Sequence, residues 1–321
     1  MTISLHCDVI PLYWAMYSYF FIKESTLRSS TTNLVLDPSS SVDLHMHTNY
    51  SDGRWPAQQL IDYLVGEHFD LVAVTDHDRV DKVSEIQALA DEKHLPVLAG
   101  VEMSTQWNGN MAHLLCYGFD PAQNYLQSVT TKVAQLQLEN TYAVNDELKR
   151  QGYTFPRQEV VLAENDGKLR LPSDNIRLLL EHGHVATYRA GLQIIEKAGF
   201  HSIMADMAET VDAAHRSDAL CLIAHPGRRE RGFTFYDTGL LDQLRVDVPI
   251  DGIEVYHPYH TPDVIEMYLD YIEKHDLLLS TGSDSHGVSG RMPKKHRAEI
   301  SKKLLERLGI TFTSPGTSLS S

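Results

Sequence analysis

From Val42 onward, short apolar runs alternate with longer segments whose apolar residues stand three and four positions apart. Runs of about four to eight residues rich in Val, Leu and Ile predict buried strands, and the segments between them predict amphipathic helices. The seven runs are VDLHMHT, FDLVAVTDHD, LPVLAGVEMS, MAHLLCYGF, ALCLIAHPG, DGIEVYHPY and LLLSTGSDSHG. Strand–helix alternation indicates parallel strands buried on both faces, so we expect an α/β fold of the (β/α)₇ barrel type.

One long segment interrupts this alternation. Between residues 121 and 200, the stretches SVTTKVAQLQLENTYAVNDELKRQG and DNIRLLLEHGHV predict helices with few strands between them. We expect residues 41–120 and 201–310 to form the barrel domain, and residues 121–200 to form a helical insertion that caps the barrel mouth.

Both ends of the chain differ from this pattern. Residues 1–40 predict a poorly ordered appendage, because the apolar stretch VIPLYWAMYSYFFI contains Pro11, is too short to span a bilayer comfortably, and is followed by polar, linker-like sequence. We expect no stable membrane association. Residues 311–321, ending in TSPGTSLSS, predict a disordered tail.

Most of the predicted strands end in residue types that bind metals. The carboxyl ends of barrel strands meet at one face, where such folds place their chemistry. His45 and His47 stand two apart on a strand and therefore face the same side. Burying many such groups without cations would cost several kcal/mol each, on the order of the stability of the whole fold. The pattern predicts a metal centre.

Composition narrows the function further. The chain has 321 residues, 42% of them hydrophobic, which is enough to bury a sizeable core. A net charge of −15 argues against a protein that binds duplex nucleic acid generally, since that footprint is basic. The three cysteines cannot form a disulfide framework. Cys116 and Cys221 lie in apolar runs, which predicts buried free thiols and fits a cytoplasmic location.

Eight short motifs then occur in a specific order. They are HxH (45–47), SDG (51–53), TDHD (75–78), GVE (100–102), HLL (113–115), AHPG (224–227), GIEVYH (252–257) and GSDSHG (282–287). Together they resemble the polymerase and histidinol phosphatase (PHP) family over Val42 to Gly287. The resemblance implies a distorted (β/α)₇ barrel (PHP-type) that holds two to three divalent cations, Mn, Fe or Zn.

The resemblance also implies three sets of metal ligands. The first is His45, His47, Glu102 and Asp284; the second is Glu102, shared, with His113 and His225; the third is Asp52, His77 and His286. Some relatives place a histidine where this chain has Asp52.

Clustered cations acidify a bound water and neutralise charge on a phosphoryl group. The resemblance therefore implies hydrolysis of phosphomonoesters of small phosphorylated metabolites by a metal-bound hydroxide. It is strongest to the branch that hydrolyses nucleotide 3′,5′-bisphosphates and trims short RNA from the 5′ end. Histidinol phosphate remains an alternative substrate, and a metal-dependent amidohydrolase remains an alternative of another class. Oligomeric state is left open.

Further residues are candidates for substrate binding and catalysis. In HPGRRERG, Arg228 and Arg229 predict a phosphate-binding pair, with Arg228 also a candidate catalytic group, unless the loop is simply solvated. Arg177 in the insertion is a candidate contact to a second phosphate. His257 is a candidate proton donor and substrate ligand, or else a helix-start or packing histidine. Asp76 is a candidate for orienting His77, or else a loop cap.

Overall fold

The fold is taken from a computed structural model, which describes residues 31, 33–230, 232–288 and 290–313. Most of the predicted N-terminal appendage, residues 314–321 of the predicted tail and Arg231 lie outside the described residues. None of the helices in these ranges is long and apolar enough to cross a membrane.

Each of the seven predicted runs contains a strand. The strands are β1 (Val35–Leu36), β2 (Ser41–Asp43), β3 (Leu71–Val72), β4 (Gly100–Trp107), β5 (Asn110–Tyr117), β6 (Ala205–Asp206), β7 (Leu220–Ile223), β8 (Gly252–Tyr256), β9 (Leu278–Thr281), β10 (His296–Arg297) and β11 (Thr311–Phe312).

Helices fill most of the segments between them. They are α1 (Ala57–Gly66), α2 (Val83–Asp91), α3 (Leu126–Arg150), α4 (Gln158–Val161), α5 (Pro172–Glu181), α6 (Tyr188–Lys197), α7 (Met207–His215), α8 (Thr238–Asp247), α9 (Pro262–His275) and α10 (Lys302–Arg307). Short 3₁₀ turns cover Val80–Lys82, Ala163–Asn165 and Ala298–Ser301.

The fold is mixed α/β, with its main sheets joined near the metal-ligand residues. Six strands pair in the order β6-β4-β5-β7-β8-β9, and three pair in the order β10-β2-β3. Isolated parallel bridges connect these two sheets, one between Met46 and Ser285 and the other between His77 and Glu102. The predicted ligands of the two sheets therefore meet along one edge.

One strand runs against the predicted direction. β5 is antiparallel to both β4 and β7, so the expectation that every strand is parallel is wrong. Asn108 and Gly109 join β4 to β5 with φ angles of 46° and 76°, the conformation of a tight hairpin turn that an Asn-Gly pair favours. Because β5 is reversed, His113 near its start lies at the same edge as the carboxyl ends of the parallel strands.

The segment from 121 to 200 contains the expected helices and has its own apolar cluster. Val144 and Leu148 of α3 pack there with Leu178 and Leu179 of α5 and with Ile195 of α6. That this segment caps a barrel mouth stays a prediction.

The domain boundaries at both ends differ from the sequence expectation. β1 pairs in parallel with β11, so residues 35–36 and 311–312 belong to the folded body rather than to an appendage and a tail. The physical reason is packing: Leu36 is buried in a cluster that Phe312 also contacts.

Two thiols lie inside the core as predicted. Cys116 and Cys221 are buried and free, on facing positions of β5 and β7, and their Sγ atoms are 3.4 Å apart.

Candidate metal centre

Four predicted ligands place their donor atoms around one point. The Nε2 atoms of His45 and His47 are 3.2 Å apart, and they lie 2.9 and 3.0 Å from Oε2 of Glu102. Oδ1 of Asp284 is 3.6 Å from Nε2 of His45 and 3.2 Å from Nε2 of His47. A tetrahedral cation bound at 2.0–2.2 Å has ligands about 3.3–3.6 Å apart. The four donors therefore come close to the spacing that such a cation requires.

The protonation of His45 also favours a cation at this point. Its Nδ1 lies 2.9 Å from Oε1 of Glu254, a carboxylate that can only accept, so Nδ1 carries the proton. In the neutral ring, Nε2 then directs a lone pair at the carboxylate of Glu102, and both side chains are fully buried. A lone pair facing a buried carboxylate needs a positive charge between them. The residues present therefore fit a metal ion.

Glu102 is the centre of a larger cluster of imidazoles. Its Oε2 faces the first pair of histidines and also lies 3.4 Å from Nε2 of His77. Its Oε1 lies 2.9 Å from Nδ1 of His113 and 2.8 Å from Nε2 of His225. The two carboxylate oxygens thus face different sets of histidines, an arrangement suited to a carboxylate shared between two cations.

The residues of the third predicted set also lie together. Oδ2 of Asp52 is 3.2 Å from Nε2 of His286 and 4.0 Å from Nε2 of His77. Nδ1 of His286 lies 2.9 Å from the carbonyl oxygen of Asp284, so it donates there and Nε2 again directs a lone pair at a carboxylate. Asp52 is more than half exposed, unlike the ligands of the first set.

The pKa values of the first set follow from this crowding. Burial alone would lower the pKa of His45, but Glu102 and Glu254 raise it well above its ordinary value. Burial likewise opposes the shift of His47, whose pKa rises to about 9 through its contacts with Asp284 and Glu102. Without a cation, protons on these imidazoles supply the positive charge that the carboxylates require.

The other histidines around Glu102 have the opposite shift. Burial lowers the pKa of His77 to about 3 and that of His225 to about 4. Both rings are therefore neutral at neutral pH, the form that binds a metal.

The two oxygens of Asp284 face different groups. Oδ1 faces His47 and the rest of the first set. On the other side, Oδ2 accepts from Nη2 of Arg291 and lies 3.6 Å from Nη1 of Arg228. Nε2 of His257 is 3.2 Å from the same oxygen. Asp284 therefore separates the imidazole cluster from two guanidinium groups.

A cavity of about 330 Å³ opens onto this arrangement. Its lining comprises Asp52, His77, Glu102, His113, His225, Arg228, Phe233, Asp284, His286, Gly290 and Arg291. Seven of the nine predicted metal ligands, all but His45 and His47, thus line one cavity together with a predicted phosphate ligand, Arg228.

Several predicted site residues lie elsewhere. Arg177 pairs with Glu164 inside the helical segment, and Arg229 is exposed with its guanidinium 3.7 Å from the centre of the Phe235 ring. Neither lines the cavity. The prediction that they contact the substrate has no support from this geometry, because each side chain is directed to a partner in its own segment.

Asp76 and His257 lie close to the predicted metal ligands, but neither side chain lines the cavity. Asp76 accepts from the backbone N–H and hydroxyl of Thr48 and from the hydroxyl of Ser51, so it holds the turn that carries Asp52 rather than the ring of His77. Nδ1 of His257 accepts from a backbone N–H, which leaves its Nε2 proton to face Asp284. Both are placed to position other residues.

Glu254 is a site residue that the sequence prediction omitted. It is fully buried, accepts from Nδ1 of His45 at 2.9 Å, and accepts the backbone N–H of His225 at 2.8 Å. One carboxylate thus orients ligands of the first and second sets. The available signal was a carboxylate inside the apolar run GIEV, where a charge must have a partner.

Glu254→Gln should weaken cation binding by roughly 10- to 100-fold. The amide retains one acceptor, so either His45 or His225 loses its partner. A chelator first removes metal from the variant, and calorimetry then follows its titration with Mn²⁺ to measure the affinity. Exposed Glu266→Gln serves as the matched control. Unchanged affinity in Glu254→Gln would show that this carboxylate does not orient the ligands.

Cation affinity should rise with pH up to about 9. His45 and His47 both have raised pKa values and each has to release a proton to become a ligand, so affinity should gain at least roughly tenfold per pH unit below that value. In the cation-free protein, the raised pKa of His47 stabilises the fold fully below pH 6.5, and the contribution is lost as pH rises through about 9. Titrations at pH 6.5, 7.5 and 8.5 measure the slope, and a flat profile would contradict it.

Known proteins are similar to this chain in sequence and in fold. The chain is 28% identical over 258 residues to the 3′,5′-nucleoside bisphosphate phosphatase of Chromobacterium violaceum, covering 78% of this chain and 90% of that protein. It is 26% identical to a 5′-3′ exoribonuclease of Haemophilus influenzae, covering 77% and 90%. A crystal structure from Bifidobacterium adolescentis, described as a metal-dependent phosphoesterase, matches with a TM-score of 0.66 at 24% identity, covering 88% and 99%.

The family assignment rests on the motif-bearing part of the chain. Residues 43–225 match the model of the PHP domain, which is more than half of the sequence and includes seven of the nine predicted metal ligands. This chain therefore belongs to the PHP domain family and is an enzyme of the phosphoesterase class.

Proposed function

We propose that this enzyme removes a phosphate from nucleotide 3′,5′-bisphosphates or from the ends of short oligonucleotides, using two to three divalent cations. The observation that carries the proposal is the buried carboxylate of Glu102, whose two oxygens face separate sets of histidines beside an arginine-lined cavity. Bound cations would supply an acidified water and neutralise charge on the phosphoryl group.

The roles of the ligands follow from their positions. His45, His47, Glu102 and Asp284 would hold the first cation, with Glu102 shared toward His113 and His225. The lone pair that His286 directs at Asp52 supports a third position. Because Asp52 is the most exposed of these ligands, this position is the weakest of the three.

The protein also supplies orientation and positive charge. Arg228 lines the cavity and is 15% exposed, so its guanidinium can bind phosphoryl oxygens in partly desolvated surroundings. Phe233 lies against both Arg228 and His225 and limits the motion of the arginine.

The bridges between the two main sheets support the proposed barrel. The backbone N–H of Leu44 donates to the carbonyl of Thr281 at 3.2 Å, and that of Asp284 donates to the carbonyl of His45 at 2.8 Å. The backbone N–H of Glu102 donates to the carbonyl of Thr75 at 3.0 Å. We propose that these contacts close the seven predicted strands into the distorted barrel, with residues 121–200 as its cap.

Cavity size and charge limit the substrate class. A volume of about 330 Å³ admits a terminal phosphate and adjoining sugar but not a duplex. The net charge of −15 disfavours long polyanions. The named activities of the two relatives, on nucleoside bisphosphates and on RNA 5′ ends, agree with a small phosphorylated substrate.

A panel of substrates tests the proposal. The Mn²⁺-loaded enzyme should hydrolyse a nucleoside 3′,5′-bisphosphate and 4-nitrophenyl phosphate, and chelation should abolish both activities. Faster hydrolysis of histidinol phosphate than of any nucleotide would replace the substrate assignment. Hydrolysis of amides without any phosphomonoester hydrolysis would overturn the proposal.

A further inference from the structure

Two arginines from separate segments meet on one side of Asp284. Arg228 follows β7 and Arg291 lies in the loop between β9 and β10, and both line the cavity. Arg291 is held firmly, since its Nε donates to the carbonyls of Ser283 and Asp284 at 3.1 and 2.9 Å, and its Nη2 donates to Oδ2 of Asp284.

An aromatic ring fixes the distance between these arginines. The guanidinium carbons of Arg228 and Arg291 lie 5.1 and 4.7 Å from the centre of the Tyr259 ring. Arg228 also lies over Phe233 at 3.6 Å. Contacts with aromatic faces restrain guanidinium groups without using their N–H donors. The pair is therefore preorganised and keeps donors available.

Charge around the pair is unbalanced. Arg228 has only a long contact to Asp284 at 3.6 Å and a contact from its Nε to Glu230 at 3.4 Å. Within the described ranges, neither Nη2 of Arg228 nor Nη1 of Arg291 has a hydrogen-bond partner. Both arginines contact the carboxylate of Asp284. A cation bound at Oδ1 of Asp284 would neutralise that carboxylate and leave positive charge in excess. Unused donors and excess positive charge in a partly buried cavity favour an anion.

We propose that Arg228 and Arg291 form a subsite for a second anionic group of the substrate, a phosphate that is not cleaved. The subsite lies on the Oδ2 side of Asp284, whereas the imidazole cluster lies on the Oδ1 side, so it is separate from the position of the reacting phosphate. The role of this subsite in substrate preference rests on the proposed function, whereas the binding of an anion by the two arginines does not.

Adenosine 5′-monophosphate is a suitable probe, because it retains one phosphate and resembles the product of a bisphosphate. Calorimetry on the Mn²⁺-loaded protein should show that it binds and that adenosine does not. Arg228→Gln should weaken this binding roughly 10- to 100-fold, the loss typical of one charged hydrogen bond. Arg291→Lys should also weaken it, since lysine lacks the planar fork. Arg297→Gln removes the same charge at an exposed position outside the cavity and should have no effect.

Hydrolysis of 4-nitrophenyl phosphate, which carries a single phosphate, separates the two sites. Arg228→Gln should reduce kcat/KM for this ester less than it reduces nucleotide affinity, with metal content unchanged. Equal losses would place the arginine at the reacting phosphate and overturn the inference, as would wild-type nucleotide affinity in both variants. If no phosphomonoester is hydrolysed, the proposed function fails, while the nucleotide titration still decides whether the subsite exists.

Discussion

Replacing His47 with alanine should lower bound metal by at least one equivalent per chain and reduce phosphatase activity by roughly a thousandfold or more. The side chain is fully buried, and its Nε2 lies within 3.2 Å of donor atoms from His45, Glu102 and Asp284. Losing one of four ligands removes several kcal/mol of electrostatic stabilisation that cations supply to phosphoryl transfer. Elemental analysis and initial rates on 4-nitrophenyl phosphate measure both effects.

Two further variants define the cause of this loss. His201→Ala removes an exposed imidazole in another part of the fold and should leave metal content and rate unchanged. Asp284→Asn preserves shape while removing charge, so it should match His47→Ala in metal loss and remain folded. Full metal content in both His47→Ala and Asp284→Asn would refute the assignment of the first set.

The second large effect should come from Gly282→Ala, which adds a single methyl group. A Cβ at Gly282 would clash with Cβ of His45 and lie 2.7 Å from Oε1 of Glu254. Overpacking of this kind costs about 1–3 kcal/mol, so Tm should fall by several degrees. His45 and Glu254 would have to separate, and cation affinity should fall with stability.

Gly66→Ala provides the matched control. That glycine lies at the end of α1, and a Cβ there would meet no atom within 4 Å. The substitution should raise stability slightly, by about 0.5–1 kcal/mol, because alanine favours helices over the unfolded chain. Calorimetric melting curves of the two variants, with and without Mn²⁺, make the comparison. Equal curves for Gly282→Ala and the wild type would contradict the close approach at His45.

The positions of most strands and predicted metal ligands could be read from the sequence because both depend on local pattern. Apolar runs identify buried strands, and a ligand at the end of such a run is carried to the edge where strands end, as with His225 after β7. The direction of β5 was misread, although Asn108-Gly109 signalled a hairpin. A tight turn overrides the general preference for strand–helix alternation.

Residues whose side-chain direction depends on contacts distant in sequence, or on the path of a loop, were harder to predict. Arg291 lies in a glycine-containing loop, and the path of that loop depends on the hydrogen bonds of Arg291 to the carbonyls of Ser283 and Asp284. No rule of sequence spacing therefore places Arg291 in the cavity. For Asp76 the sequence left two roles open, orienting His77 or capping a loop. Its chain neighbour His77 suggested a role, but the carboxylate is directed to Thr48, 28 positions away.

The pairing of β1 with β11 determines where this chain can safely be shortened. The sequence predicted a disordered tail at residues 311–321, which would invite truncation after residue 310. Such a truncation would delete Thr311 and Phe312, the strand that pairs with Val35 and Leu36, and expose the apolar cluster around them. A shortened protein intended for crystallisation should therefore retain residue 313, whose backbone N–H still donates to the carbonyl of Leu36.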